Sequence, residues 1–165
     1  MDCLGIPVHY EPDFESVSVK LVTPAKRWHW LWHALWPWRF VKFTGLVETR
    51  GWFGSQYIVV GRAFFAFPKR EQQAILLHEV GHVKLNHIGK RLLKIWQIIL
   101  APFAFARLCV AQEFQADYFA AECGYALELA SALSRMRTDT RASLHPAVSE
   151  RVARLAAWPL RFDPV

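Results

Sequence analysis

Cysteine is scarce in this sequence. Three residues, Cys3, Cys109 and Cys123, stand far apart in a chain of 165. An odd, widely spaced set of this kind is not the disulfide framework of a small secreted scaffold. Acidic residues are also few, 14 against 20 Lys and Arg, which leaves a net charge of +6. That balance favours anionic neighbours without choosing among nucleic acid, lipid headgroups and acidic protein. Nucleic acid has nothing but this charge behind it. Long apolar runs are missing too. The longest, residues 95–106, is interrupted by Pro102 and falls well short of the ~20 residues of a membrane-spanning helix. It is expected to be buried or interfacial. The opening residues, Met1-Asp2-Cys3-Leu4-Gly5, lack a basic region leading into an apolar one, so no secretory signal is expected. Together these absences point to a reducing, cytoplasmic setting.

What is present is apolar. With 53% hydrophobic and 15% aromatic residues the chain is not disordered. Its length suits one domain, residues 1–165, with a core of its own. The organising stretch is Leu77-His78-Glu79-Val80-Gly81-His82, which reads H-E-x-x-H. Residues four apart on a helix lie one above the other on one face. His78 and His82 could therefore bind one Zn²⁺, with Glu79 in reach of a water on the ion. Pro68 and Glu71 mark the start of this helix. Leu76, Val80 and Val83 form its expected buried stripe, Gly81 leaves room for a close neighbour, and Gly89 is its expected end. Lys84, Lys90, Arg91 and Lys94 make the following turns basic, ordinarily a solvated face.

Upstream, residues 1–16 read as an extended lead-in. Val17, Val19 and Leu21 alternate with polar residues, the pattern of a half-buried strand. Trp28, Leu31, Trp32, Leu35 and Trp36 form one helical stripe within residues 24–36. It is either a core face or a membrane-interface anchor, since Lys26, Arg27 and Arg39 flank it. Residues 39–49 read as a strand, and Tyr57-Ile58-Val59-Val60 as a short apolar one. Residues 48–53 are the candidate edge for pairing with a peptide backbone.

Downstream, a helix from beyond Pro102 to about Glu122, with Gly124 as its stop, carries Glu113 and Asp117 four apart. Ala116 and Ala120 keep that face small. Glu113 could supply a third metal ligand. Asp117 could accept a hydrogen bond from the free ring nitrogen of His78, which fixes the tautomer. A further helix, residues 125–136, a polar loop, residues 137–143, and a last helix, residues 147–157, complete the chain. His145-Pro146 precedes that last helix. His145 either faces the cleft as an oxyanion partner or serves as a helix-start residue.

These motifs, in this order over residues 41–155, resemble the HtpX and CAAX-prenyl-protease family of gluzincin metallopeptidases, and more closely its single-domain minigluzincins. The residues that carry the likeness are Tyr57-Ile58-Val59-Val60, His78-Glu79-Val80-Gly81-His82 with His87, Glu113-Phe114-Gln115-Ala116-Asp117, and His145-Pro146 with Arg151. The resemblance implies one catalytic zinc on His78, His82 and Glu113, Glu79 as general base, His145 in the active site, and Arg151 as its supporting arginine. It implies an α+β, zincin-like fold: a small N-terminal mixed sheet packed on the active-site helix, then a glutamate helix and C-terminal helices. The family's transmembrane helices and its asparagine-containing edge motif have no counterpart here, so no substrate preference carries over. The ImmA/IrrE metallopeptidases are also similar, through Ala116-Asp117-Tyr118-Phe119-Ala120-Ala121-Glu122, but the His145-Pro146 to Arg151 element favours the first family. The expected activity is peptide-bond hydrolysis on a peptide or protein substrate. The alternatives are an inactive zinc-binding regulatory protein and a protein in peripheral contact with an anionic membrane.

Overall fold

A short apolar strand at the centre of a small sheet sets the architecture. The computed structural model describes residues 2–13, 15–21, 38–44, 46–51, 55–94, 96–136 and 145–158. The strands are β1 (Asp2–Cys3), β2 (Ile6–Tyr10), β3 (Glu15–Leu21), β4 (Trp38–Thr44), β5 (Val47–Arg50) and β6 (Tyr57–Val60). The helices are α1 (Lys69–Lys84), α2 (His87–Leu93), α3 (Gln97–Leu100), α4 (Pro102–Glu122), α5 (Ala126–Arg135) and α6 (Val148–Ala156), preceded by a 3₁₀ turn at Arg62–Ala66. The class is α+β, with strands gathered early and helices late.

The main sheet runs β1-β2-β6-β5 and is mixed: β2 pairs with β6 parallel, and the other two pairings are antiparallel. Strand β6 lies inside it, and Ile58 and Val59, which point to opposite faces, are both fully buried. That is why Tyr57-Ile58-Val59-Val60 is a continuous apolar run and not an alternating one. Strand β5 is the last strand of this sheet and lies against α1. A second, two-stranded sheet pairs β3 with β4, from Glu15 opposite Thr44 to Leu21 opposite Trp38.

Helix α1 joins two apolar clusters. Ile75, Leu76 and Val80 pack with Ile6, Val8, Ile58 and Phe64 on the sheet side. Ala74 and Leu77 pack with Ala120, Leu129, Leu133 and Leu155 on the helical side. The helix is therefore buried on most of its circumference, not along the single Leu76–Val80–Val83 stripe, and Val83 is only half-buried.

Several elements depart from the sequence reading. Residues 1–16 are not a plain lead-in, because β2 adds a parallel neighbour to β6. The signal is weak because Pro7 interrupts the strand and the turn is Leu4-Gly5. Both residues of that turn have positive φ (52° and 81°), as a two-residue hairpin turn requires but leucine seldom supplies. The single strand expected over residues 39–49 is two strands, β4 and β5. Helix α1 ends before Asn86, which sits in the left-handed region at φ 51°, a conformation asparagine tolerates. Gly89 lies inside α2, where an added Cβ would run into the Asn86 carboxamide. The tryptophan helix of residues 24–36, the polar loop of residues 137–143 and part of the candidate edge, residues 52 and 53, lie outside the described residues. None of the three cysteines is in a disulfide. Among the described residues no helix is long and apolar enough to cross a membrane.

Candidate metal centre

The close approach of two helices builds the site. A Cβ placed on Gly81 would lie 3.1 Å from both Ala116 Cα and Phe119 Cβ. Glycine on α1 and alanine on α4 therefore let the helix backbones nearly touch, and Glu113 on α4 comes level with His78 and His82 on α1. The Nε2 atoms of the two histidines stand 3.2 Å apart. His78 Nε2 lies 3.7 Å from Glu113 Oε2, and His82 Nε2 lies 3.5 Å from Glu113 Oε1. All three residues are buried, and one ligand atom from each falls within 4.8 Å of the others. This buried His-His-Glu group could hold a metal ion.

Each ring is oriented through its other nitrogen. His78 Nδ1 lies 2.9 Å from Asp117 Oδ1. Asp117 is in turn gripped by Arg151 on α6, through Nε to Oδ2 at 2.8 Å and Nη2 to Oδ1 at 2.6 Å. This two-pronged bond holds a buried carboxylate and a buried guanidinium in one geometry. His82 has an uncharged partner. Its Nδ1 lies 2.8 Å from Nδ1 of the fully buried His87, whose Nε2 lies 3.1 Å from Gln115 Oε1. One proton assignment satisfies the whole chain. His87 donates from Nε2 to the Gln115 carbonyl and accepts at Nδ1 from His82. That leaves a lone pair on His82 Nε2 facing the centre.

Electrostatics reinforce the difference. Burial works against a charge on His78, but its bonds to Asp117 and Glu113 outweigh it and raise its pKa to about 9. Burial dominates at His82, which is held well below the usual histidine range, aided by the neighbouring His78 and Arg91. Burial likewise lowers His87 to about 4, so it is neutral. Glu113 stays ionised. Burial would raise it, but the bonds from His145 and His78 carry it well below the usual carboxylate range. Burial also opposes the charge on Asp117, yet the Arg151 guanidinium keeps its pKa low.

A cleft of about 270 Å³ opens onto this group, bounded by β5 on one side and α2 on the other. Glu79 lines it, and Thr49 Oγ1 on β5 donates to Glu79 Oε2 at 2.6 Å. His145 also lines the cleft, half-exposed, with Nδ1 3.2 Å from Glu113 Oε2. The residues singled out from sequence, His78, Glu79, His82, Glu113, Asp117, His145 and Arg151, thus come together around one point. The chain order alone missed others. Arg91 does not simply face solvent: its Nε donates to Gln112 Oε1 at 2.6 Å, and its Nη2 lies 3.3 Å from Glu113 Oε1. Thr49 lay in the candidate edge and Gln115 in the glutamate motif, each without a role of its own. His87 stood in the motif without a role, because residues five apart on a continuous helix do not share a face. The left-handed turn at Asn86 is what folds it back onto His82.

Comparison with family models and with curated proteins finds no match. Fold and site therefore define only a class, an α+β protein with a buried His-His-Glu group suited to a metal ion.

Proposed function

We propose that this chain is a zinc-dependent metalloendopeptidase with a zincin-like site. The observation that carries the reading is the convergence of His78, His82 and Glu113 beside Glu79, on a cleft walled by an edge strand. Ligand atoms around a tetrahedral zinc, at bonds of about 2.0–2.2 Å, stand roughly 3.3–3.6 Å apart. The 3.2 Å between the two Nε2 atoms lies close to that range, and each histidine has one of the two Glu113 oxygens nearby, Oε1 at 3.5 Å from His82 and Oε2 at 3.7 Å from His78. Two imidazoles and one carboxylate are also a zinc donor set that leaves a coordination position open. Zinc held there supplies Lewis acidity, polarising a peptide carbonyl and acidifying water.

The remaining steps belong to the chain. Glu79, fixed by Thr49, accepts a proton from the attacking water and returns it to the departing amine. His145, on the open side of Glu113, donates to the oxyanion as the carbonyl turns tetrahedral. Strand β5 is the outer strand of the main sheet among the described residues, and an extended peptide would add its backbone there. Main-chain pairing of that kind places a scissile bond over Glu79 with little demand on side chains.

The test pairs metal analysis with cleavage of a peptide library read by mass spectrometry. The wild-type chain should carry about one zinc per chain and cut peptides. Glu79→Gln should keep the zinc and lose cleavage. Full activity in that variant would remove Glu79 from the mechanism. Stoichiometric zinc with no cleavage by the wild type would favour the inactive regulatory protein.

A further inference from the structure

The region between the two ligand-bearing helices has a surface that the peptidase reading does not use. Helices α2 and α4 are joined by a tight turn containing α3, closed by backbone hydrogen bonds such as Gln97 N–H to Lys94 O and Ala101 N–H to Gln97 O. Large apolar side chains stand in solvent along it: Leu93 is 72% exposed, Trp96 53%, Leu100 75% and Phe103 70%. Within the run expected to be buried or interfacial, residues 95–106, Trp96, Leu100 and Phe103 are exposed while Phe105 is buried. Exposed apolar residues gathered in so short a segment mark a contact surface.

The charges carried by this stretch of chain are of one sign. Between Glu79 and Glu113 the sequence has no acidic residue. Over the same interval Lys84, Lys90, Lys94 and Arg107 are exposed. Arg91 is committed to Gln112 and Glu113 and is not counted with them. Apolar side chains at the apex of a helical turn, with cations on its flanks, match the two layers of an anionic bilayer surface. The apolar residues enter the acyl boundary and the cations meet the headgroups. A protein partner would need acidic groups placed to match, whereas an anionic membrane presents negative charge wherever the turn lands. No described helix can cross the bilayer, so the contact lies on the membrane and not through it. We infer that Leu93, Trp96, Leu100 and Phe103 on this turn dock the chain onto anionic membrane surfaces. Helix α2, which leads into the turn, also supplies Ile88 and Arg91 to the cleft. Docking therefore holds the cleft close to the lipid.

The experiment is co-sedimentation of the full chain with phosphatidylcholine vesicles that contain or lack phosphatidylserine, at low and high salt. The chain should pellet with the anionic vesicles and be released by salt. The double variants Leu100→Ser/Phe103→Ser and Lys94→Glu/Arg107→Glu should each weaken partition by about tenfold or more. Circular dichroism and metal content should not change, because all four side chains are exposed. Binding undiminished in both variants would overturn the inference and assign the vesicle contact to another segment, such as residues 28–36. Equal binding to neutral and anionic vesicles would overturn it as well. So would lipid-free dimerisation abolished by Leu100→Ser/Phe103→Ser in a chain that ignores vesicles, because the apex would then belong to a second copy. None of these readouts depends on peptide hydrolysis.

Discussion

His78 and His82 sit one turn apart, yet unlike partners hold them. Bonds to Asp117 and Glu113 make His78 the more basic ring, against the opposing charge of Arg151, and burial leaves His82 uncharged beside neutral His87. Removing a group that orients a ligating histidine typically costs 10–100-fold in metal affinity. His87→Ala and Asp117→Asn should each weaken zinc binding by about that factor in a competitive chelator titration. An unchanged affinity in His87→Ala would show that the ring nitrogen contact at 2.8 Å orients nothing. Glu113→Ala should lose most of the bound metal, and unchanged stoichiometry would reject Glu113 as a ligand. Arg151 is buried with its charge matched to Asp117. Truncating it removes two hydrogen bonds to a buried carboxylate and leaves His78 as its remaining partner, so Arg151→Ala should lower unfolding free energy by about 1–3 kcal/mol in a urea titration.

At the scale of elements, the contact between α1 and α4 decides whether a site exists at all. Glycine in a helix costs roughly 1 kcal/mol relative to alanine, and Gly81 is kept where a Cβ would press on the Ala116 backbone. Backbone in a packed helix gives little, so Gly81→Val should push the helices apart. A stability loss of about 1–3 kcal/mol is expected from overpacking, with weaker metal binding in the same variant. A variant as stable as wild type, with full metal affinity, would mean that the close approach is not needed. The hairpin of β1 and β2 offers the opposite experiment. Leu4 adopts positive φ and is exposed, so Leu4→Asn makes an Asn-Gly turn of the favoured kind. Stability should rise by about 0.5–1 kcal/mol, and a fall would argue against the left-handed geometry at residue 4. The element boundaries explain what could be read in advance. Tyr57-Ile58-Val59-Val60 declares a buried strand by composition, and Pro102 with Gly124 brackets α4. The ends of β4, β5 and α1 depend on pairing partners and on one left-handed asparagine, which periodicity does not register.

At the scale of the molecule, the site draws on β5, α1, α2, α4 and α6, so holding a metal and holding the fold are coupled. The metal-binding free energy becomes folding free energy when the unfolded chain lacks the site. Proton release follows from the same coupling. A ligating histidine must lose its proton, and His78 is raised to about 9 in the metal-free chain. At pH 7 the proton is bound and competes with the ion, and above about 9 it no longer does. Apparent zinc affinity should therefore climb as pH rises toward 9, by about tenfold per unit where one proton is displaced. Calorimetry at pH 7.5 in buffers of different ionisation enthalpy should detect roughly one proton released. Metal binding with no proton uptake by the buffer would contradict the raised pKa.

The sequence by itself determined the chemistry of the candidate site. Two histidines at helical spacing, a glutamate beside the first, and a carboxylate pair on a small-residue helix name the donor set, because ligand type and helical period are local properties. It also determined the α+β class, since apolar runs and turn residues are local as well. Only the tertiary structure decided the supporting roles. Thr49 reaches Glu79 from thirty residues away because β5 lies against α1. Arg91 turns inward because α2 folds back along α4, and His87 meets His82 because Asn86 breaks the helix between them. Each of these contacts joins residues that periodicity places on different elements or faces, so it exists only once the chain has packed.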